Sequence, residues 1–180
     1  MAARELFSEL GYEKTTISDI TERAGLTRRS YFRYFADKRE VFFTGSDAIV
    51  EMWISAVQAA PDPADPMSAV RRALEATAAA FEPRRDGSRR RRAIIDEHEE
   101  LRERERFKLA TLADATAAAL RRRGVDEPSA RIAAAIGVTV LELAYRQWTD
   151  EDGPTFADAI QGLLGTVADV ASNDRAPRTS

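Results

Sequence analysis

Ala24-Gly25-Leu26 joins two helical segments too short to stand alone, and this joint limits what the chain can fold into. Thr16 opens the first segment, with Asp19 three positions on at capping-box spacing and Ile17, Ile20 and Ala24 along one apolar face. Gly25 ends it and Leu26 can fold back onto a core. Thr27 caps the second segment, in which Tyr31 and Phe35 recur at i, i+4 as inward residues, although either ring could also make an outward contact. A third segment, residues 3–10, carries Ala3, Leu6, Phe7 and Leu10 on one face and stops at Gly11. Three short helices of this kind must lean on one another. Asp37 with Glu40 makes another capping box and starts a fourth helix, expected from about residue 37 to 60, with Gly45 interrupting it at some cost in propensity.

The segment PDPADP, residues 61–66, cannot continue a helix. Beyond it the helical period returns. Val70, Leu74, Ala78 and Phe81 predict a helix over 67–82, PRRDGS reads as a turn, and helices follow near 88–97 and 99–123, the last closed by Gly124. Pro128 and Pro154 read as first-turn prolines of two more helices, about 128–149 and 154–171. The polar tail NDRAPRTS is expected to fray. No convincing strand is found. The expectation is an all-α chain of about nine helices, divided into a helix-turn-helix unit over 1–45 and a larger helical domain over 46–180.

Composition narrows the function. The 180 residues include no cysteine, which excludes disulfides and thiolate metal sites and fits a cytoplasmic protein. No apolar run approaches the roughly 18 residues of a membrane span, so no membrane partner is expected. The net charge is -3, yet residues 23–39 hold Arg23, Arg28, Arg29, Arg33, Lys38 and Arg39 against Asp37 alone. A basic patch on an acidic chain is a confined surface for an anion.

Two short helices with a basic second member form a helix-turn-helix, in which the first braces and the second enters the DNA major groove. Thr27 and its amides lie at a helix N-terminus that favours phosphate. Arg28 and Arg29 follow in the first turn and Arg33 one turn on. An arginine fork can pair with the O6 and N7 of guanine. Phe32 and Tyr34 read as outward residues against DNA, and Lys38 as a phosphate contact that fixes the register. The bland alternative is that the arginines only solvate an amphipathic helix.

The stretch LFSELGYEKTTISDITERAGLTRRSYFRYFADKREVFF, residues 6–43, resembles the TetR family of bacterial transcriptional regulators. The pattern runs in order: LF, GY, TT, Ile-x-x-x-Ala-Gly, an aromatic-rich helix ending in YF, and a lysine near an acid. The resemblance implies that Thr16 opens the bracing helix, that Thr27, Arg28, Arg29 and Arg33 reach bases or nearby phosphates, and that Phe32, Tyr34 and Lys38 line the DNA backbone. Family members often carry glycine in place of Arg29 and tyrosine in place of Phe32; RRSYFRYF reads as a recurring variant. Met1 falls inside the family's usual first helix, so the natural protein is expected to start upstream or to have lost a basic arm.

One recognition helix discriminates weakly, so a homodimer reading two half-sites is expected. The last two helices offer stripes through Ile132, Ile136, Val140, Leu143 and Ala144, and through Phe156, Ile160, Leu163, Leu164 and Val167, with Ala133, Gly137, Gly162 and Gly165 permitting close approach. The alternative is that both faces are internal core. The resemblance also implies a domain that binds a small effector and releases the DNA. Trp53, Phe81, Ile94, His98, Leu101, Leu112, Tyr145 and Trp148 are apolar or orienting material for such a pocket. His98 could orient a ligand or lie on the surface of the acidic run DEHEELRERE. Rival readings are an activator or a constitutive regulator without effector, and remotely an enzyme using carboxylates of residues 96–105. No catalytic motif, metal set or cofactor motif is found.

Overall fold

The computed structural model describes residues 2–61 and 65–172. All nine expected helical segments are present among them, the fourth divided into two. The helices are α1 Ala2–Leu10, α2 Ile17–Arg23, α3 Arg28–Tyr34, α4 Lys38–Phe42, α5 Ser46–Gln58, α6 Pro66–Phe81, α7 Arg85–Glu97, α8 Glu99–Arg122, α9 Glu127–Thr149 and α10 Phe156–Ser172. The described residues contain no strand. The tail over 173–180 and the middle of PDPADP lie outside them.

The caps act as their spacing predicts. The Asp19 amide donates to Thr16 Oγ1 at 3.2 Å while the Thr16 amide donates to Asp19 Oδ2 at 2.8 Å, a complete capping box. The box at Asp37 is half made. The Glu40 amide donates to Asp37 Oδ1 at 3.0 Å, but the Glu40 carboxylate turns away to pair with Arg104 of α8.

Three expectations are corrected. Gly45 does not merely weaken one long helix; it adopts a left-handed φ of 89° and separates α4 from α5, so that Phe42 and Phe43 face the N-terminal core. PRRDGS is no turn. A 3₁₀ turn, Glu82–Arg84, runs directly into α7. Arg85 and Arg89 on that first turn are anchored across the chain, on the carbonyls of Gly153 at 2.7 Å and Thr149 at 3.1 Å. Arg92 adds the Arg146 carbonyl at 2.6 Å. Spaced i, i+4, i+7, these cations take up carbonyls of the last turn of α9 and of the loop after it, where the helix dipole favours positive charge. Pro154 lies before α10 rather than in its first turn; Thr155 is the cap, accepting from the Asp158 amide at 3.1 Å.

Two cores result. The larger joins α5, α6, α8, α9 and α10 around Trp53, Val57, Val70, Leu74, Leu120 and Trp148. The smaller gathers Leu6, Phe7, Tyr12, Ile20, Tyr31 and Phe42 from the N-terminal unit and extends beyond residue 45 to take in Ile95 of α7 and Leu101 of α8. The N-terminal unit is therefore seated on the α7–α8 corner.

Candidate nucleic-acid interface

The face of α3 divides as its i, i+4 spacing requires. Tyr31 is buried, its hydroxyl donating to the Asp37 carbonyl at 3.0 Å. Burial, with the Asp37 charge beside it, pushes this phenol up to about 12, so it stays protonated. Phe35 is half-buried against the same core. Arg28, Arg29, Phe32, Arg33 and Tyr34 are all exposed.

Pairing sorts the basic patch. Arg23 is held by Glu9 at 2.9 Å and Arg39 by Asp37 at 2.5 Å. Among the described residues no carboxylate pairs with Arg28, Arg29 or Arg33, so charge available to an anion concentrates on α3. Arg28 Nη1 donates to Ser18 Oγ at 3.3 Å, tying the start of α3 to the start of α2. Arg33 lies over the Tyr34 ring, 4.7 Å from its centroid, and donates to its hydroxyl at 2.9 Å. The pair can present a cation and a phenol together. Phe32 meets the Tyr31 ring edge-on at 5.3 Å, which sets its outward direction.

Thr16 and Thr27 are exposed caps. The Thr27 hydroxyl accepts from the Ser30 amide at 3.1 Å and so fixes where α3 begins. Lys38 turns inward: Nζ donates to the Tyr12 carbonyl at 2.9 Å and lies 4.1 Å from that ring's centroid. It braces the N-terminal unit from its place at the start of α4.

The expected effector residues divide between the two cores. Trp53 and Leu112 are in the larger core, where Phe81, Tyr145 and Trp148 form an aromatic cluster with Phe156, the Trp148 and Phe156 rings stacked at 4.8 Å. Ile94, His98 and Leu101 are elsewhere, at the α7–α8 corner under the N-terminal unit. His98 Nδ1 approaches Glu13 at 3.2 Å and its ring faces Tyr12. The α7–α8 corner runs past both cores, which the local pattern does not reveal. Beside it a cleft of about 210 Å³ is lined by Asp37, Arg39, Glu40, Glu100, Glu103, Arg104 and Phe107. Of the acidic run, Glu99 pairs with Arg102 and Arg106, and Asp96 with Arg92.

The expected dimer residues also separate. Val140 and Ile160 are buried inside the chain's own core and leave nothing for a partner to touch. Gly137 is likewise used internally, against Val70 and Trp53. Ile132 and Leu143 are exposed, Ile136, Leu163 and Val167 are half-buried, and Gly162 and Gly165 face open space. Tyr12 and Glu100 join the N-terminal unit to α8. They lie 88 residues apart, and no local signal links them. No helix among the described residues is long and apolar enough to cross a membrane.

A braced second helix with unpaired outward arginines defines a helix-turn-helix DNA-binding unit. Residues 1–44 match the family described as bacterial regulatory proteins, tetR family. The chain is similar to the HTH-type transcriptional regulator TcmR of Streptomyces glaucescens, 39% identical over 74 residues; the match covers 41% of this chain and 33% of TcmR, about a third of that protein's length. The whole fold is similar to a putative TetR-family transcriptional regulator from Syntrophomonas wolfei, with a TM-score of 0.65 at 18% identity over 94% of this chain and 91% of that one. It is also similar to Thermus thermophilus FadR, a TetR-family transcriptional repressor solved with lauroyl-CoA, with a TM-score of 0.61 at 20% identity over 99% of this chain and 96% of that one. These two likenesses establish the all-helical fold.

Proposed function

We propose that the protein is a homodimeric repressor that holds a palindromic operator and is released by a small, largely hydrophobic ligand bound in the larger domain. The observation that carries the DNA half is the outward face of α3, where Arg28, Arg29 and Arg33 are left without carboxylate partners while Arg23 and Arg39 are neutralised. Arg33 with Tyr34, and Arg28 with Arg29, then meet base edges and phosphates, as α3 enters the groove. The dimer half is supported by an apolar stripe on adjoining helices, Ile132, Ile136 and Leu143 on α9 beside Leu163, Val167 and Val170 on α10. Two copies of this face make a four-helix interface, and its twofold symmetry matches a palindrome.

Release requires that the ligand favour one spacing of the two α3 helices over another. The N-terminal unit rests on α7 and α8, and α8 continues into the larger core, so a ligand there reaches α3 through one rigid helix. FadR, which shares the fold, holds lauroyl-CoA; a mainly apolar core suits an apolar effector here as well.

Gel-shift titration against the DNA flanking the protein's own gene tests this reading. The expected result is tight binding to a palindrome, lost in Arg33→Ala, and weakened by an apolar effector. Binding that does not distinguish the palindrome from random DNA overturns it, and specific binding that no effector weakens removes the ligand half.

A further inference from the structure

We infer that Trp53 is the directional anchor of the ligand site: its indole N–H donates a hydrogen bond to an acceptor oxygen, of the ketone, quinone or ester kind, on a neutral and otherwise apolar ligand. This rests on the effector reading above and names the chemistry that the effector must have.

Trp53 is 0% exposed, and its Nε1 has no hydrogen-bond partner among the described residues. Native cores seldom leave a donor in this state, because its lost hydration is not repaid. The other polar groups of the same core are satisfied. Thr77 donates to the Ala73 carbonyl at 2.8 Å and Thr116 to the Leu112 carbonyl at 2.7 Å. The second tryptophan, Trp148, donates from Nε1 to Glu82 Oε1 at 3.2 Å. Arg85 and Arg104 also carry an unpartnered Nε, but each uses another nitrogen, on the Gly153 carbonyl and on Glu40. Trp53 has one donor only. Phenylalanine would fill a comparable space without an unmade bond, so the indole at this position is explained by a ligand that accepts from it.

The ring is held in place. Gly137 of α9 brings the backbone up to it: a Cβ there would lie 3.6 Å from Trp53 Cζ2 and would run into Val70 Cγ1. An indole wedged between α5, α6 and α9 points its N–H in a fixed direction, the preorganisation that a specific donor needs. The surroundings set the ligand's charge. Val50, Ile54, Val57, Leu74 and Leu112 belong to the same cluster, and no Asp, Glu, His, Lys or Arg side chain is buried among the described residues. A carboxylate would accept from the indole but would lose its hydration with no cation to balance it. A neutral carbonyl carries no such cost.

The test uses a matched pair of probes, acetophenone and α-methylstyrene, which differ by a carbonyl against a methylene of similar shape. Indole Nε1–H resonances are followed in the ¹⁵N-labelled full chain, assigned by the loss of one signal in Trp148→Phe. The Trp53 signal is expected at the unbonded position in the free protein. It should move downfield with acetophenone and not with α-methylstyrene, and acetophenone should bind about five- to tenfold tighter. Trp53→Phe should erase that preference. Because the resonance is read in the unaltered chain, the test stands even if the variant folds poorly. A Trp53 signal already at the bonded position, one that acetophenone leaves in place, or a preference that survives Trp53→Phe each overturns the inference. Gel shifts separate the two readings: if acetophenone moves the Trp53 signal but no effector releases DNA, the anchor stands and the effector reading falls. If an effector releases DNA without moving Trp53, the reverse holds.

Discussion

The Tyr12 hydroxyl donates to Glu100 Oε1 at 2.8 Å, tying the loop after α1 to the first turn of α8. With the Glu40–Arg104 pair, it bonds the N-terminal unit to the helix that enters the larger core. Burial, then the bond to Glu100, raises the phenol's pKa well above its ordinary range, so the hydroxyl keeps the proton it donates. His98 packs on the same ring and Lys38 lies over it. Tyr12 thus gathers contacts from α4, the α7–α8 corner and α8.

Tyr12→Phe should keep the ring packing and lose the bond, lowering stability by about 1–2 kcal/mol. Urea unfolding measures the loss. If Tyr12 also couples the domains, the variant's DNA affinity should respond less to effector than the natural chain's, at equal occupancy of the ligand site. An unchanged response assigns Tyr12 to stability alone.

Gly137→Ala places a methyl group closer to Val70 Cγ1 than van der Waals contact allows. Overpacking of this kind costs about 1–3 kcal/mol. Val70→Ala in the same chain opens the space, so the double variant should recover part of what Gly137→Ala loses. Thermal melts of the four chains check this. A double variant whose loss equals the sum of the two single ones would show that the two sites do not meet.

Local chemistry carried most of the helical layout. Thr16, Thr27 and Asp37 cap because an oxygen three residues ahead of an amide caps wherever the chain turns into a helix. The outward set on α3 was equally legible, since Tyr31 and Phe35 at i, i+4 leave Arg28, Arg29, Phe32 and Arg33 only the other side. What could not be read was which core a buried residue joins. Leu101 and Leu112 lie on one helix and both face inward, yet one packs under the N-terminal unit and the other in the larger domain. Gly45 likewise became a break rather than a weak helical residue because Phe42 and Phe43 are drawn to Phe7 and Tyr12. The unpartnered N–H of Trp53 has no trace in the sequence at all.

Arg29 and Lys38 should separate in their effects on DNA binding. Arg29 is exposed and free to meet phosphate, so Arg29→Ala should lower the salt slope of binding by about one and weaken all sequences alike. Lys38 spends its ammonium on the Tyr12 carbonyl, so Lys38→Ala should cost stability of about 1 kcal/mol as well as affinity. Affinity measured across a salt series, with urea unfolding beside it, distinguishes the two. A Lys38→Ala chain of unchanged stability would return Lys38 to a purely phosphate-facing role.

Asp37 gives a pH dependence of definite sign. Burial pushes its pKa up, but the Arg39 guanidinium and the Glu40 amide outweigh that and hold the carboxyl below its ordinary value. A carboxylate depressed in the folded state adds stability that is fully present above the unfolded pKa and is lost as pH falls through the folded one. Stability should therefore decline as pH drops below the ordinary aspartate value of about 3.9. Asp37→Asn keeps a capping oxygen without the charge and should flatten part of that decline. Urea midpoints from neutral to acid pH check it, and equal slopes in both chains would assign the acid sensitivity to other carboxylates.

The surface of α9 and α10 gives the last test. Gly162 faces open space, and Leu163 and Val167 lie half-buried beside it at the edge of an apolar stripe that includes exposed Leu143. A charge at Gly162 should leave the chain's own core intact, because that core is closed by Ile160 and Leu164 on the other side of the helix. Gly162→Glu should therefore yield a folded monomer, seen by sedimentation velocity, with unchanged helical circular dichroism. DNA affinity should fall sharply, since a monomer reads one half-site where a dimer reads two. An intact dimer would move the interface to another face, and a folded monomer with full affinity would mean that one α3 suffices.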